Sequence, residues 1–201
     1  MKQSEWIIRE LDLQPHQHLL EVGCGSGRLL AAVAGKAHSC FLAGIEPSVT
    51  LYRRAMRRNA AYLRQETMQL HLGQIYDLSY PASYFHTIYG SGSYYSWKNF
   101  ATECLRISSL LRTGGRLILL SQPGHYRQEE DLRTEAARLQ AAFLKAGLTD
   151  IHTEFRSFSS RGCLSVTGSK PTHQFDYQEN VSVNNRLLNS GASFISKVVE
   201  T

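Results

Sequence analysis

The pattern of apolar and polar positions changes repeatedly along the chain, between short apolar runs and a helical period of about 3.6 residues. The apolar runs predict five buried strands, at residues 18–23, 39–46, 68–73, 85–90 and 116–121. Apolar positions at helical spacing predict helices at residues 5–12, 27–36, 48–64, 99–111 and 129–146. Two further runs, at about 150–158 and 162–168, are separated by three residues and predict a hairpin.

This order of elements predicts an α/β fold. Strands that alternate with helices form a doubly wound, mostly parallel sheet with helices on both faces, and the final hairpin adds an antiparallel edge. Residues 1–169 are expected to form one domain, in which residues 1–17 supply an N-terminal helix or lid. Residues 170–201 are a polar C-terminal extension to which the pattern assigns no structure.

The composition is that of an ordinary globular domain. Of the 201 residues, 42% are hydrophobic and 19% charged, and no apolar run approaches the roughly 18 residues of a membrane span. No secretory signal is recognisable. The four cysteines have neither CxxC nor metal-ligand spacing; they are Cys24, Cys40, Cys104 and Cys163. We therefore expect reduced thiols, a cytoplasmic location and no metal site.

The net charge of +5 is concentrated in one predicted helix. Five arginines lie on the face opposite its apolar stripe, at positions 53, 54, 57, 58 and 64. Such a face is more typical of a solvated helix than of a nucleic-acid-binding patch. The charge pattern therefore favours neither a membrane nor a nucleic acid as partner.

The segment Glu21-Val22-Gly23-Cys24-Gly25-Ser26-Gly27 joins the first predicted strand to the following helix. Glycines allow sharp turns and a close backbone approach to a ligand, and the free N–H groups of a helix start favour an anionic group. A dinucleotide-binding G-x-G-x-x-G motif would need glycine at Arg28, and a P-loop would need Gly-Lys-Ser/Thr in place of Gly27-Arg28-Leu29. Neither motif fits.

The spacing E-x-G-x-G-x-G resembles instead the first motif of the class I methyltransferases that use S-adenosylmethionine, in particular their type 11-like, small-molecule group. Three further stretches match the family's later motifs in the same order. They are Gly73–Leu78 after the third strand, Tyr84–Ile88 in the fourth, and Leu111–Leu117 leading into the fifth. The resemblance spans about residues 18–122 and implies a Rossmann-like, seven-stranded sheet with S-adenosylmethionine as cofactor.

The resemblance also implies which residues hold the cofactor. Glu21 and the glycines would shape the methionine end, Glu46 at the end of the second strand would hold the ribose hydroxyls, and Gln74 with Ile75 would hold the adenine. The complete expected set is Glu21, Gly23, Cys24, Gly25, Gly27, Glu46, Pro47, Gln74, Ile75 and Ser91.

Three positions depart from the family pattern. Gln74 replaces an acid, His86 an Asp and Thr113 a Pro. A neutral amide at position 74 should bind the adenine amino group less strongly than a carboxylate would.

The methyl acceptor is expected beyond the carboxyl ends of the fourth and fifth strands. The substrate-binding candidates there are Tyr94, Tyr95, Trp97 and Tyr126. His125 is the candidate general base because an imidazole titrates near neutral pH. Trp6, on the first helix, is a candidate cover for the cofactor.

The sequence thus predicts an enzyme that transfers a methyl group to O or N of a small molecule. An RNA or protein methyltransferase is one alternative. Gly90-Ser91-Gly92-Ser93 lacks the Asn/Asp-Pro-Pro-aromatic stretch of base N-methyltransferases and the Pro-Cys of cytosine-C5 enzymes. A non-catalytic interaction protein with the same fold is the other alternative, and Gln74 favours it while Glu46 and the glycine loop do not.

Overall fold

A computed structural model describes residues 3–121, 128–158 and 161–172. Its helices are α1 (Gln3–Leu11), α2 (Arg28–Ala34), α3 (Val49–Arg58), α4 (Ala60–Arg64), α5 (Phe100–Leu110) and α6 (Glu129–Lys145). Its strands are β1 (His18–Val22), β2 (Phe41–Glu46), β3 (Met68–Leu72), β4 (Phe85–Ser91), β5 (Leu111–Leu120), β6 (Thr149–Phe158) and β7 (Arg161–Ser169).

The seven strands form one sheet in the order β3-β2-β1-β4-β5-β7-β6. The first five strands of this order pair in parallel, whereas β7 runs antiparallel to both β5 and β6. The predicted mixed, Rossmann-like sheet with a C-terminal hairpin is confirmed. The chain reverses its direction across the sheet between β1 and β4, which is where such folds open a crevice at the carboxyl ends of their strands.

Each face of the sheet carries its own apolar core. In β5, Leu117 and Leu119 join the cluster that packs under α5 and α6, whereas Ile118 and Leu120 join the cluster under α1 and α2. Successive side chains of a strand point to opposite faces. A strand that is covered on both faces therefore shows a continuous apolar run, which is the signal that the sequence carried.

Asn59 interrupts the helix that the sequence predicts over residues 48–64, so that α3 and α4 form in its place. Its side chain is fully buried, and its amide nitrogen donates to the carbonyl oxygens of Gly27 at 3.2 Å and Ala55 at 3.0 Å. The interruption thus attaches the helical layer to the glycine loop. Two short 3-10 helices, Ile75–Asp77 and Tyr94–Ser96, were also not predicted.

The first helix, α1, packs against strands β5 and β6. Trp6 is fully buried, with its ring centre 5.5 Å from that of Phe158 in β6. Arg116 of β5 donates to the carbonyl oxygen of Leu11 at 2.7 Å. The expectation that Trp6 covers the cofactor is therefore wrong, because this side chain is part of the core.

Within residues 3–121, 128–158 and 161–172, no helix combines the length and apolar character needed to cross a bilayer. All four cysteines are buried free thiols.

Candidate functional site

The glycine loop between β1 and α2 contains three glycines with positive φ, at +73° for Gly23, +56° for Gly25 and +71° for Gly27. A Cβ atom on Gly23 would clash with the Cβ of Ser93, and one on Gly27 would clash with the amide nitrogen of Asn59. A Cβ on Gly25 would meet nothing within 4 Å. Two glycines thus allow the protein to pack against the loop, and the middle one faces open space.

That open space consists of two adjoining cavities, of about 310 and 750 Å³, at the carboxyl ends of β1, β2 and β4. Both volumes lie within the range typical of small-molecule sites. Gly23, Gly25 and Ser91 line both cavities and mark where they meet. The first cavity extends towards the segment after β3 and is lined by Glu46, Pro47, Gln74, Ile75, Trp97 and Glu103. The second lies between the glycine loop and α1 and is lined by Gln3, Ser4, Ile7, Glu21, Cys24 and Arg28.

Glu46 is buried at the end of β2, and backbone groups hold both of its carboxylate oxygens. Oε2 accepts a hydrogen bond from the Gly25 N–H at 2.8 Å, and Oε1 accepts one from the Ser48 N–H at 2.9 Å. A carboxylate can accept about four hydrogen bonds, so two acceptor positions are left for a ligand. Glu46 therefore presents a carboxyl group of fixed geometry to the first cavity.

Glu21, in β1, is buried in the wall of the second cavity. Burial raises the pKa of its carboxyl group to about 8; the Tyr89 hydroxyl, a hydrogen-bond donor at 3.4 Å, opposes this shift, and the charge of Glu46 adds to it. The carboxyl group is therefore mostly protonated at neutral pH. Burial also raises the pKa of the neighbouring Cys24 thiol, which keeps it from ionising and acting as a nucleophile.

The segment after β3 turns at Gly73 into the short helix Ile75–Asp77. Ile75 is buried and lines the first cavity, and the exposed Gln74 lies at its rim. The Asp77 side chain turns towards Gln74. Its carboxylate accepts a hydrogen bond from the Gln74 N–H at 2.7 Å, and the Asp77 N–H donates to the Gln74 carbonyl oxygen at 2.8 Å. The acid of this segment thus stabilises the turn.

Of the four predicted substrate-binding residues, only Trp97 is found in the wall of a cavity within the described part of the chain. Tyr94 is 1% exposed and belongs to the core, where its hydroxyl donates to that of Tyr95 at 3.2 Å; neither tyrosine is among the residues lining the two cavities. Trp97 does line the first cavity, and its ring stacks on that of Phe100 at 5.5 Å. His125 and Tyr126 lie outside the described residues, as do residues 173–201.

Of the predicted cofactor residues, the structure brings nine to the cavity walls: Glu21, Gly23, Cys24, Gly25, Glu46, Pro47, Gln74, Ile75 and Ser91. Gly27 is not among the residues that line the two cavities, and it packs against the Asn59 side chain. Sequence reasoning missed three charged residues of the walls, which are Arg28, Lys98 and Glu103. Arg28 could have been found as the charge directly after the loop, whereas nothing local distinguishes Glu103 from the acid of any exposed helix.

Comparisons with known proteins agree with this geometry. Residues 19–115 match the family described as "Methyltransferase domain". A Bacillus subtilis (strain 168) protein, the uncharacterised methyltransferase YdaC, is 24% identical over 169 residues, which cover 84% of this chain and 91% of that protein.

Solved structures show the same fold. The YcgJ protein of Bacillus subtilis superposes with a TM-score of 0.67 at 13% identity, over 84% of this chain and 97% of that one. Phosphoethanolamine N-methyltransferase 2 of Haemonchus contortus, in complex with phosphomonomethylethanolamine and S-adenosylhomocysteine, also superposes with a TM-score of 0.67, at 14% identity. That match covers 84% of this chain and 53% of the nematode enzyme.

The described residues fit the cofactor of this family. The unobstructed face of Gly25 leaves room for a ligand against the backbone, and the carboxyl group of Glu46 lies beside it, where hydroxyl donors can reach two remaining acceptor positions. Residues 19–115 match a methyltransferase domain, and the ordered motifs, the sheet and the relatives together support a class I S-adenosylmethionine-dependent methyltransferase with S-adenosylmethionine as its cofactor.

Proposed function

We propose that the protein methylates an oxygen or nitrogen atom of a small molecule. The observation that carries this proposal is the second cavity, of about 750 Å³, which lies between α1 and the glycine loop and opens to solvent. A concave site of this volume is typical of small-molecule binding. The relative crystallised with phosphomonomethylethanolamine, a small phosphorylated amine, supports the same class of acceptor.

The adenosine half of the cofactor is proposed to lie in the first cavity. Glu46 would accept hydrogen bonds from the ribose hydroxyls with the two acceptor positions that the backbone leaves open. The adenine would lie between Pro47 and Ile75, with Gln74 at the rim and the Trp97 ring forming part of the wall.

The methionine half is proposed to extend from the junction of the two cavities into the second one. An amino acid carries one ammonium and one carboxylate group, and this part of the wall offers one residue of each complementary charge. Glu21 would face the ammonium group and Arg28 the carboxylate, with Cys24 and Ser91 beside them. A ligand cation would favour the ionised form of Glu21 and so lower its raised pKa.

When bound, S-adenosylmethionine supplies a methyl group that its sulfonium already activates. The remaining task of the chain is to hold the acceptor in line behind that methyl group and to exclude water. Ile7 and Ser4 of α1 would form the wall that excludes water. His125 remains our proposed general base for a hydroxyl acceptor, with Tyr126 beside it.

Calorimetric titration tests the cofactor assignment, with S-adenosylmethionine, S-adenosylhomocysteine and NAD as ligands. We expect micromolar binding of the first two and none of NAD. The acceptor class is tested by measuring S-adenosylhomocysteine formation with panels of small alcohols and amines, alongside RNA and peptide pools. Turnover with RNA or peptide but with no small molecule would contradict the proposed acceptor class.

A further inference from the structure

Glu103 lies in the first turn of α5 and lines the first cavity, although its side chain is only 7% exposed. It is held beside the segment after β3, because α5 packs on the Ile75–Asp77 helix and Arg106, one turn further along α5, donates to the Leu78 carbonyl oxygen at 2.9 Å. α5 thus holds the carboxyl group in the wall of the first cavity, next to the segment after β3.

The partners of Glu103 within the described part of the chain are weak. Its Oε1 accepts a long hydrogen bond, of 3.4 Å, from the Asn99 N–H, and the Lys98 N–H also faces it. No lysine or arginine of the described residues forms a salt bridge with it. Desolvation consequently raises its pKa. As at Glu46, two backbone donors leave acceptor positions of the carboxyl group open to a ligand.

The other acids nearby are already used. Asp77 caps its own short helix through the Gln74 N–H. Glu46, in the wall of the same cavity, is proposed to hold the ribose with the acceptor positions that its two backbone donors leave open. Gln74, at the position where related enzymes carry an acid, is neutral. Within the described residues, Glu103 is therefore the carboxylate of the cavity wall that remains available at the end proposed for adenine.

We propose that Glu103 accepts a hydrogen bond from the exocyclic amino group of adenine, supplying from α5 the carboxylate that the segment after β3 lacks. This inference rests on the proposed placement of adenosine in the first cavity. Adenine presents an N–H donor at this position, whereas a 6-oxo purine presents a carbonyl oxygen that a carboxylate repels. Glu103 thereby makes the site selective for the 6-amino group.

A purely structural role is a clear alternative, since an acid in the first turn of a helix favours the helix dipole and here also accepts the Asn99 N–H. That role predicts a loss of stability on substitution and no change in base selectivity. Selectivity therefore separates the two roles.

The experiment compares the dissociation constants of S-adenosylhomocysteine and its 6-oxo analogue, S-inosylhomocysteine, for the wild type, Glu103→Gln and the exposed control Glu130→Gln. We expect the wild type and the control to prefer the 6-amino ligand by roughly tenfold or more, as a charge-assisted hydrogen bond implies. In Glu103→Gln the preference should fall to within about threefold, because an amide can also donate to the 6-oxo group.

An unchanged preference in a folded Glu103→Gln variant would overturn the assignment of Glu103 and leave the cofactor site intact. Equal binding of the two ligands by the wild type would overturn it without any variant. If the wild type bound neither ligand, the placement of adenosine and the role of Glu103 would both fall.

Discussion

Two carboxyl groups beside the glycine loop have different surroundings. Glu46, at the end of β2, has both oxygens held by the N–H groups of Gly25 and Ser48. Glu21, in β1, has one long contact from a tyrosine hydroxyl and a pKa that burial raises to about 8. Two acids of similarly low exposure therefore differ, because backbone donors hold the first while the second is mostly protonated at neutral pH.

Desolvation without backbone donors stabilises the neutral form of a carboxyl group, as at Glu21. The proposed ribose site at Glu46 has its backbone hydrogen bonds in place before a ligand arrives, whereas the proposed ammonium site at Glu21 gains its charge as the ligand binds. The first cavity therefore presents a fixed carboxyl group, and the adjoining second cavity presents one that is coupled to protons.

The largest expected effect comes from removing the carboxyl group of Glu46. Glu46→Ala should weaken binding of S-adenosylmethionine by about 1.5–3 kcal/mol, the usual range for hydrogen bonds to a charged group. It should also lower the melting temperature, because the Gly25 and Ser48 N–H groups lose their acceptor. Glu46→Gln keeps one acceptor oxygen and should be intermediate. An unchanged dissociation constant in calorimetry would remove Glu46 from the ribose site.

The next effect concerns Glu21. At pH 6.5, binding of S-adenosylmethionine should release up to one proton in the wild type and close to none in Glu21→Gln, as measured by calorimetry in buffers of different ionisation enthalpy. Equal proton release by both proteins would show that Glu21 does not face the ammonium group.

The raised pKa of Glu21 also determines how the free energy of unfolding changes with pH. Since the folded pKa of about 8 exceeds the ordinary value of 4.5, the folded state binds the extra proton between these values. The free energy of unfolding of the wild type, relative to Glu21→Gln, should therefore fall as pH rises from 4.5 towards 8.

A smaller effect is expected at the glycine loop, and two glycine substitutions distinguish backbone strain from loss of cofactor binding. Gly25→Ala and Gly114→Ala both place a side chain at positive φ, +56° and +72°, without a clash against the protein. Each should lose about 1–2 kcal/mol of stability. Only Gly25→Ala should also weaken binding of S-adenosylmethionine, because its methyl group enters the cavity. Equal affinities for the two variants would contradict the placement of the cofactor against Gly25.

The smallest effect is expected at Gln74, in the segment after β3 that we propose lies beside the adenine. Gln74→Asp should tighten cofactor binding by no more than about 1 kcal/mol, because the gain from a charged acceptor is reduced by the Asp77 carboxylate next to it. A titration that shows weaker binding would indicate that residue 74 does not face the adenine amino group.

The parts of the fold that local chemistry determines could be predicted from sequence. The apolar runs indicate strands covered on both faces, and the spacing of Gly23, Gly25 and Gly27 indicates a turn that meets a ligand. The position of Glu46 follows from the end of its strand. These features depend on residues close to one another in the chain.

The rest depends on contacts between distant segments. Asn59 ends α3 because its side chain binds Gly27, and Glu103 is distinctive only because α5 buries it beside Ile75. Tyr94 sits in an aromatic segment that suits a ligand wall, yet it packs into the core instead. Periodicity alone does not distinguish these outcomes.

The contact of α1 with β6 affects when the site is completed during synthesis. Arg9 and Glu154 form a salt bridge across 145 positions of sequence, and Trp6 packs on Phe158 beside it. Ribosomes add roughly 5–20 residues per second, so α1 waits many seconds for β6 to emerge. The helix that lines the second cavity therefore docks fully only after β6 has emerged, and a nascent chain that already contains the glycine loop still lacks the complete wall of this cavity.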